Sequence, residues 1–91
     1  MAQVSPHAHI GKGVIIEPYA IVESGAEIGE DCSIEAHAIV KSHAKLGKGV
    51  SVGHFSVVGG DPQHLTFDRE RSSFVVVGSE TRIGEGVTIH R

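Results

Sequence analysis

The sequence predicts an all-β solenoid in which short strands and tight corners wind into triangular coils of 18 residues, and three observations lead there. Aliphatic side chains recur at every sixth position through Val4, Ile10, Ile16, Val22, Ile28, Ile34, Val40, Leu46, Val52 and Val58, and the beat resumes at Val77, Ile83 and Ile89. Two places before these aliphatics stands a small or modest residue, such as Ala8, Val14, Ala20, Ala26, Cys32, Ala38, Ala44, Val50 or Ser56. Turn-forming residues fill the gaps. A period of six divides by the two-residue period of a strand and not by the 3.6 of a helix, so extended segments joined by corners satisfy it.

Taken in order, the triplets beginning at Ala8, Val14, Ala20, Ala26, Cys32, Ala38, Ala44, Val50 and Ser56 each read as one short strand. The first and third side chains of a triplet point one way and the middle one the other, so Ala26 and Ile28 face inward together while Glu27 faces out. The corners between them carry pairs such as Lys12-Gly13, Ser24-Gly25, Glu30-Asp31 and Lys48-Gly49. Glycine accepts the positive φ of a sharp corner, and Asp and Ser bond to nearby backbone. One hexad buries too little to fold alone, but coils stacked on a common axis share a core. From Gly59 to Phe74 the beat stops; the segment GGDPQHLTFDRERSSF reads as a loop leaving the wall, an excursion over about 59–76 within a single domain of 1–91 and about five coils. Loops of this kind often carry function. Spacing does not say which side of the triangle Val77 rejoins.

Composition narrows the class. At 91 residues the chain is one small domain, for which self-association is an expected source of stability. A net charge of −3 with scattered Lys and Arg argues against nucleic acid, no apolar run approaches a membrane span, and no secretory signal opens the chain. Cys32, at an inward small position, reads as a core filler. The sequence stops at Ile89-His90-Arg91 part way through a coil with no capping element, which reads as a natural or engineered piece of something longer whose open coil stacks end to end on another.

Residues 18 apart lie one above another. Ile21, Ile39 and Val57 therefore form an outward aliphatic column, with Tyr19, His37 and Phe55 stacked on the corner beside it, and these six are the expected self-association surface. Elsewhere opposite charges stack, Glu27 under Lys45 and Glu23 under Lys41, with Lys12, Glu30 and Lys48 alternating along a corner. Seven histidines raise a metal reading in which His37 and His54 pair at one corner and trimer symmetry adds a ligand. Two ligands do not close a site, so the expectation is no metal and no cofactor. His43 reads as a surface ion pair with Asp61.

The hexads, the string KSHAKLGKGVSVGHFSVVGGDPQHLTF and the closing RIGEGVTIHR resemble the N-terminal third of the UDP-N-acetylglucosamine acyltransferase family of lipid A synthesis. Hexads are shared by many transferases; the loop with Gln63, Leu65 and Phe67 followed by Val87-Thr88-Ile89-His90-Arg91 is more specific. The resemblance implies a left-handed parallel β-helix, a homotrimer, a bacterial cytoplasmic setting, and transfer of a 3-hydroxyacyl group from acyl carrier protein to the sugar 3-hydroxyl. It implies a backbone N–H for the oxyanion and a histidine general base, and since that histidine lies on a coil beyond Arg91 no catalytic residue is expected within this chain. The residues that carry over belong to the sugar-nucleotide side: Gln63 in the loop and His90 in the Thr-Ile-His-Arg string. His64 and Thr66 stand where the family has an acidic and a basic side chain, which removes a sugar-hydroxyl acceptor and a phosphate-binding cation. The expectation is a self-associating scaffold module without turnover on its own, the alternative being a fragment that binds the sugar nucleotide.

Overall fold

The computed structural model describes residues 1–60 and 74–91. Every strand pairing is parallel, and the strands fall into three sheets that form the three walls of a left-handed β-helix. Face 1 carries β1 (Gln3–Val4), β4 (Ile21–Val22), β7 (Ile39–Val40), β10 (Val57–Gly60) and β13 (Thr88–His90). Face 2 carries β2 (His9–Ile10), β5 (Glu27–Ile28), β8 (Ala44–Leu46) and β11 (Val75–Val77). Face 3 carries β3 (Ile15–Ile16), β6 (Ser33–Ile34), β9 (Ser51–Val52) and β12 (Arg82–Ile83). Among the described residues, consecutive strands do not pair with each other; each pairs with the strand one winding away, as in Ile21↔Ile39 and Ile28↔Leu46.

The inward columns are those that the six-residue beat marks. Val22, Ile28, Ile34, Val40, Leu46, Val52 and Val58 are buried, as are the small residues Ala20, Ala26, Cys32, Ala38, Ala44, Val50 and Ser56. Burying each large aliphatic stabilises the fold by about 1.5–3 kcal/mol. The partner position holds a residue no larger than valine in each of these triplets, which is what the narrow triangular core accommodates beside the larger aliphatic. Cys32 is a filler, its thiol directed at the Gly47 carbonyl at 3.0 Å.

Val77 rejoins face 2, above Leu46. In an uninterrupted helix the step from Val58 to the next inward aliphatic would be six residues; here the chain takes 19, so 13 residues are inserted at the corner between faces 1 and 2 and the winding then continues on the next wall in sequence. Pairing runs on to Gly60 and restarts at Val75, inside the range of about 59–76 expected for the excursion, while residues 61–73 lie outside the described residues. Gly59, at φ 90°, makes a bulge in β10 so that Gly60, rather than Gly59, meets His90.

Corners are closed in two ways. At the corner from face 3 to face 1, Ala20, Ala38 and Ser56 each donate their N–H to the carbonyl three residues back, at 3.1–3.3 Å. The third residue of those turns has positive φ, and it is Tyr19 (68°), His37 (64°) and Phe55 (62°) rather than glycine. Pro18 fits the second position, whose φ it presets. Glu17 and Glu35 reinforce this corner by accepting the N–H of Ala36 and His54 one winding above, at 3.0 and 3.2 Å. At the corner from face 2 to face 3 the windings instead touch backbone to backbone. A Cβ on Gly29 would lie 2.7 Å from the Gly47 carbonyl carbon, and one on Gly11 would lie 2.7 Å from the Glu30 nitrogen. On the same corner the left-handed position reads Gly13, Asp31, Gly49, Glu80, and the Asp31 and Glu80 carboxylates fill the space that side chains on Gly13 and Gly49 would need.

Gly29→Ala is therefore expected to cost about 1–3 kcal/mol, since a methyl must push two backbone segments apart. Gly78→Ala, whose added Cβ would meet nothing nearer than 4.0 Å, serves as the control and should stay within about 0.5 kcal/mol. Urea unfolding of both variants checks this; equal midpoints would mean that the glycine column is not closely packed.

Candidate functional site

Two regions of the surface depart from the solvated, charge-paired walls. On face 2, Lys45 and Glu27 are 3.6 Å apart, and at its edge Lys41 and Glu23 are 3.4 Å apart, so the expected cross-coil ion pairs form. Both pairs are half-exposed to solvent, and such pairs contribute only about 0–1 kcal/mol. Their effect is to keep these walls hydrated.

The first region is the self-association surface expected on face 1. Ile21, Ile39 and Val57 do share one outward column, in register, but they are half-buried rather than bare, because each is flanked by its own neighbours above and below. The exposed part is the adjoining corner, where Tyr19 is 63% and Phe55 67% accessible. There the rings of Tyr19, His37 and Phe55 stack with centroid separations of 5.2 and 5.0 Å and planes within 9°. Positive φ is a costly backbone state for a bulky residue, on the order of 1–3 kcal/mol. Ring stacking along the ladder offsets part of that cost, at about 0.5–1.5 kcal/mol per pair.

The second region is the corner from which the excursion leaves. His90, at the end of β13, pairs with Gly60 across the bulge, so the histidine expected on the substrate side is exposed next to the last described residue before segment 61–73. Gln63, His64 and Thr66 lie outside the described residues, as does Asp61, so the ion pair expected between His43 and Asp61 is outside them too. His43 has another partner: its Nε2 is 2.6 Å from Arg91 Nη1. A guanidinium only donates, so Nε2 accepts and the ring's proton sits on Nδ1. Phe74 lies tilted against the His43 ring at 5.7 Å and carries Lys45 Nζ over its face at 4.5 Å. The Val75 N–H bonds to the His43 carbonyl and the Arg91 N–H to the Gly60 carbonyl, both at 2.9 Å, which clamps the two ends of the excursion to one another through the wall. The sequence reading gives His43 a different partner, Asp61, and does not bring His43, Phe74 and Arg91 together. The signal is present but latent: once Val77 is set above Leu46, the same offset of 31 residues sets Phe74 above His43.

The metal reading finds no support among the described residues, which contain no group of three or more His, Cys, Asp or Glu side chains able to hold an ion. His37 is sandwiched between two rings, while His54 Nδ1 is 3.2 Å from the Ala36 carbonyl and 3.8 Å from Glu35, so the two histidines are committed to different partners. No helix among the described residues is long and apolar enough to cross a membrane.

The strand that presents His90 is held from below by Ser56, an inward position where the other windings have Ala, Cys or Val. Its hydroxyl donates to the Gly84 carbonyl at 2.5 Å and accepts from the Val87 N–H at 3.1 Å, and the residue is fully buried. Ser56→Ala strands both groups, for which we expect a loss of about 1–3 kcal/mol and faster hydrogen exchange at Val87 than at Ala38. Uniform exchange across both corners would refute this role.

A family described as bacterial transferase hexapeptide, six repeats, matches residues 7–42 and 25–60. Among solved structures, a UDP-N-acetylglucosamine acyltransferase from Bacteroides fragilis 9343 superposes with a TM-score of 0.95 and 32% identity, over 99% of this chain and 35% of that one. A UDP-N-acetylglucosamine O-acyltransferase from Moraxella catarrhalis RH4 gives a TM-score of 0.52 and 29% identity, over 97% of this chain and 36% of that one. The chain thus spans about a third of the length of these relatives. No curated protein matches it significantly.

Proposed function

The chain belongs to the bacterial transferase hexapeptide family, and from that footing we propose that it forms the self-associating β-helix module of an acyl carrier protein-dependent UDP-N-acetylglucosamine O-acyltransferase, carrying the sugar-nucleotide side of the cleft. The observation that supports this best is the superposition on the Bacteroides acyltransferase along 99% of the chain. On this reading the excursion with Gln63, His64 and Thr66 and the adjoining His90 contact the sugar nucleotide. The 3-hydroxyacyl transfer, with its general base and oxyanion donor, is then a property of the whole enzyme in the bacterial cytoplasm.

The module's own activity is association. Among the described residues, face 1 is the wall on which the outward column is aliphatic through three successive windings, Ile21, Ile39 and Val57; face 2 presents His9, Glu27, Lys45 and Val76, and face 3 presents Ile15, Ser33, Ser51 and Arg82. A homotrimer closing three such walls about an axis covers the aliphatic column and the exposed ladder edge together.

Sedimentation or light scattering at micromolar concentration is expected to give trimers for the native sequence and monomers for Ile39→Glu, whose charge lies at the centre of the wall. A monomeric native chain would sink the association. Calorimetry with UDP-N-acetylglucosamine tests the second half: binding weakened at least about tenfold by His90→Ala supports it, a margin of roughly 1.4 kcal/mol. Equal binding by both, or none by the native trimer, removes the sugar-nucleotide assignment while leaving association standing.

A further inference from the structure

One hydrogen bond at the corner between faces 1 and 2 requires a single charge state of its partners. His43 Nε2 lies 2.6 Å from Arg91 Nη1. A guanidinium keeps its charge and its protons throughout the pH range in which proteins fold, so the contact needs a lone pair on Nε2 and a neutral ring. Imidazole is the side chain whose ordinary titration falls between about pH 5 and 8. A proton on Nε2 would set donor against donor and cation against cation. Among the described residues, the surroundings do not offset that added charge. Lys41 and Lys45 flank His43 in sequence, His90 and Arg91 arrive from the end of β13, and Phe74, on the winding above, already carries Lys45 Nζ over its face. On the winding below, Glu23 accepts from Ser42 and Lys41 and Glu27 is 3.6 Å from Lys45, so both carboxylates are engaged by other groups. Gly25 and Gly59, which also approach this corner, bring no side chain.

We propose that His43 is an acid-operated latch: neutral, it holds Arg91 and tightens the corner beside His90, and protonated, it releases Arg91 and the corner loosens. The inference goes beyond the acyltransferase reading and does not depend on it. Its reach comes from the bonds that meet at this residue. The His43 carbonyl accepts the Val75 N–H and the Gly60 carbonyl accepts the Arg91 N–H, both at 2.9 Å, while the His43 ring packs on Phe74 at 5.7 Å. Release of the side-chain contact therefore bears on Gly60 and on Phe74-Val75, the described residues on either side of segment 61–73, and on the strand end that presents His90. The sign follows from the bond itself. The latch contributes stability while the ring is neutral, and that contribution is lost as pH falls. Two other histidines lack this logic: His54 Nδ1 faces acceptors, the Ala36 carbonyl and Glu35, and His37 lies between two ring faces, which attract a cation.

The test is nuclear magnetic resonance of the full chain from about pH 8 to about pH 5, the span over which imidazole changes charge. At the alkaline end the ring nitrogens of His43 are expected to show Nε2 bare and the proton on Nδ1. Toward the acid end, exchange protection of the Val75 amide should fall at least about tenfold relative to that of Ser33, which is bonded to Val50 on face 3; this is the scale of one hydrogen bond to a charged group. His43→Gln replaces Nε2 by an acceptor that does not take up a proton, so Val75 should stay protected at both ends. Arg91→Met removes the cation, after which titration of His43 has nothing to expel and the pH response should vanish again. The proposal fails if Nε2 carries the proton at the alkaline end, if Val75 protection relative to Ser33 is independent of pH in the native chain, or if both variants keep the native response. The first two readings use the native chain, so they decide the matter even where a variant does not fold.

Discussion

Everything in this structure depends on the vertical repeat of its windings, about 4.8 Å apart, which sets each residue directly on the one a turn below. A globular core asks a side chain to fit many unlike neighbours; here it fits a short column. Ala26 packs beside Ile28 on one wall of the core, and Gly29 must lack a side chain because the Gly47 carbonyl lies where a Cβ would go. The same constraint sets electrostatics, since Glu27 meets Lys45 through register rather than through any local preference. Parallel pairing over three walls also leaves few backbone groups without partners along the stacked windings, which the small core of a short chain could not otherwise tolerate.

What the sequence made legible follows from that constraint, and so does what it hid. Inward columns, outward aliphatics and cross-coil ion pairs are all set by a fixed offset, so counting residues is enough to find them. Counting fails at the insertion. The 13 added residues change the offset from 18 to 31, and until Val77 is known to lie over Leu46, nothing indicates that Phe74 belongs with His43 or that Arg91 reaches it. A second blind spot is conformational. Tyr19, His37 and Phe55 stand where a corner asks for positive φ, which residue type alone argues against; their stacking is visible in the sequence, but the backbone state that they share is not.

The division of labour between wall and loop explains why family resemblance and residue detail carry different weight. The wall is generic: hexads that satisfy the column rule are found across transferases of the family. The corner between faces 1 and 2 is particular, because there the bulge at Gly59, the His43 to Arg91 contact and the Phe74 to Lys45 contact brace both ends of the excursion beside His90. A rigid frame with one elaborated corner is a common way for a repeat scaffold to acquire a site without disturbing its core.

The alternation of Gly13, Asp31, Gly49 and Glu80 along one edge constrains how the prism is shortened. Each acidic side chain lies over a glycine, so along this edge the pattern recurs only every second turn, although the rest of the prism recurs every turn. Excising the turn that holds Gly49 would set Glu80 over Asp31, whose own carboxylate keeps the space above Gly13, so Glu80 alone would lose the glycine that receives it. Along this edge the structural repeat is therefore two windings, 36 residues, twice the register offset from Gln3 to Ile21, and removing windings in pairs is the change that keeps each carboxylate over a glycine.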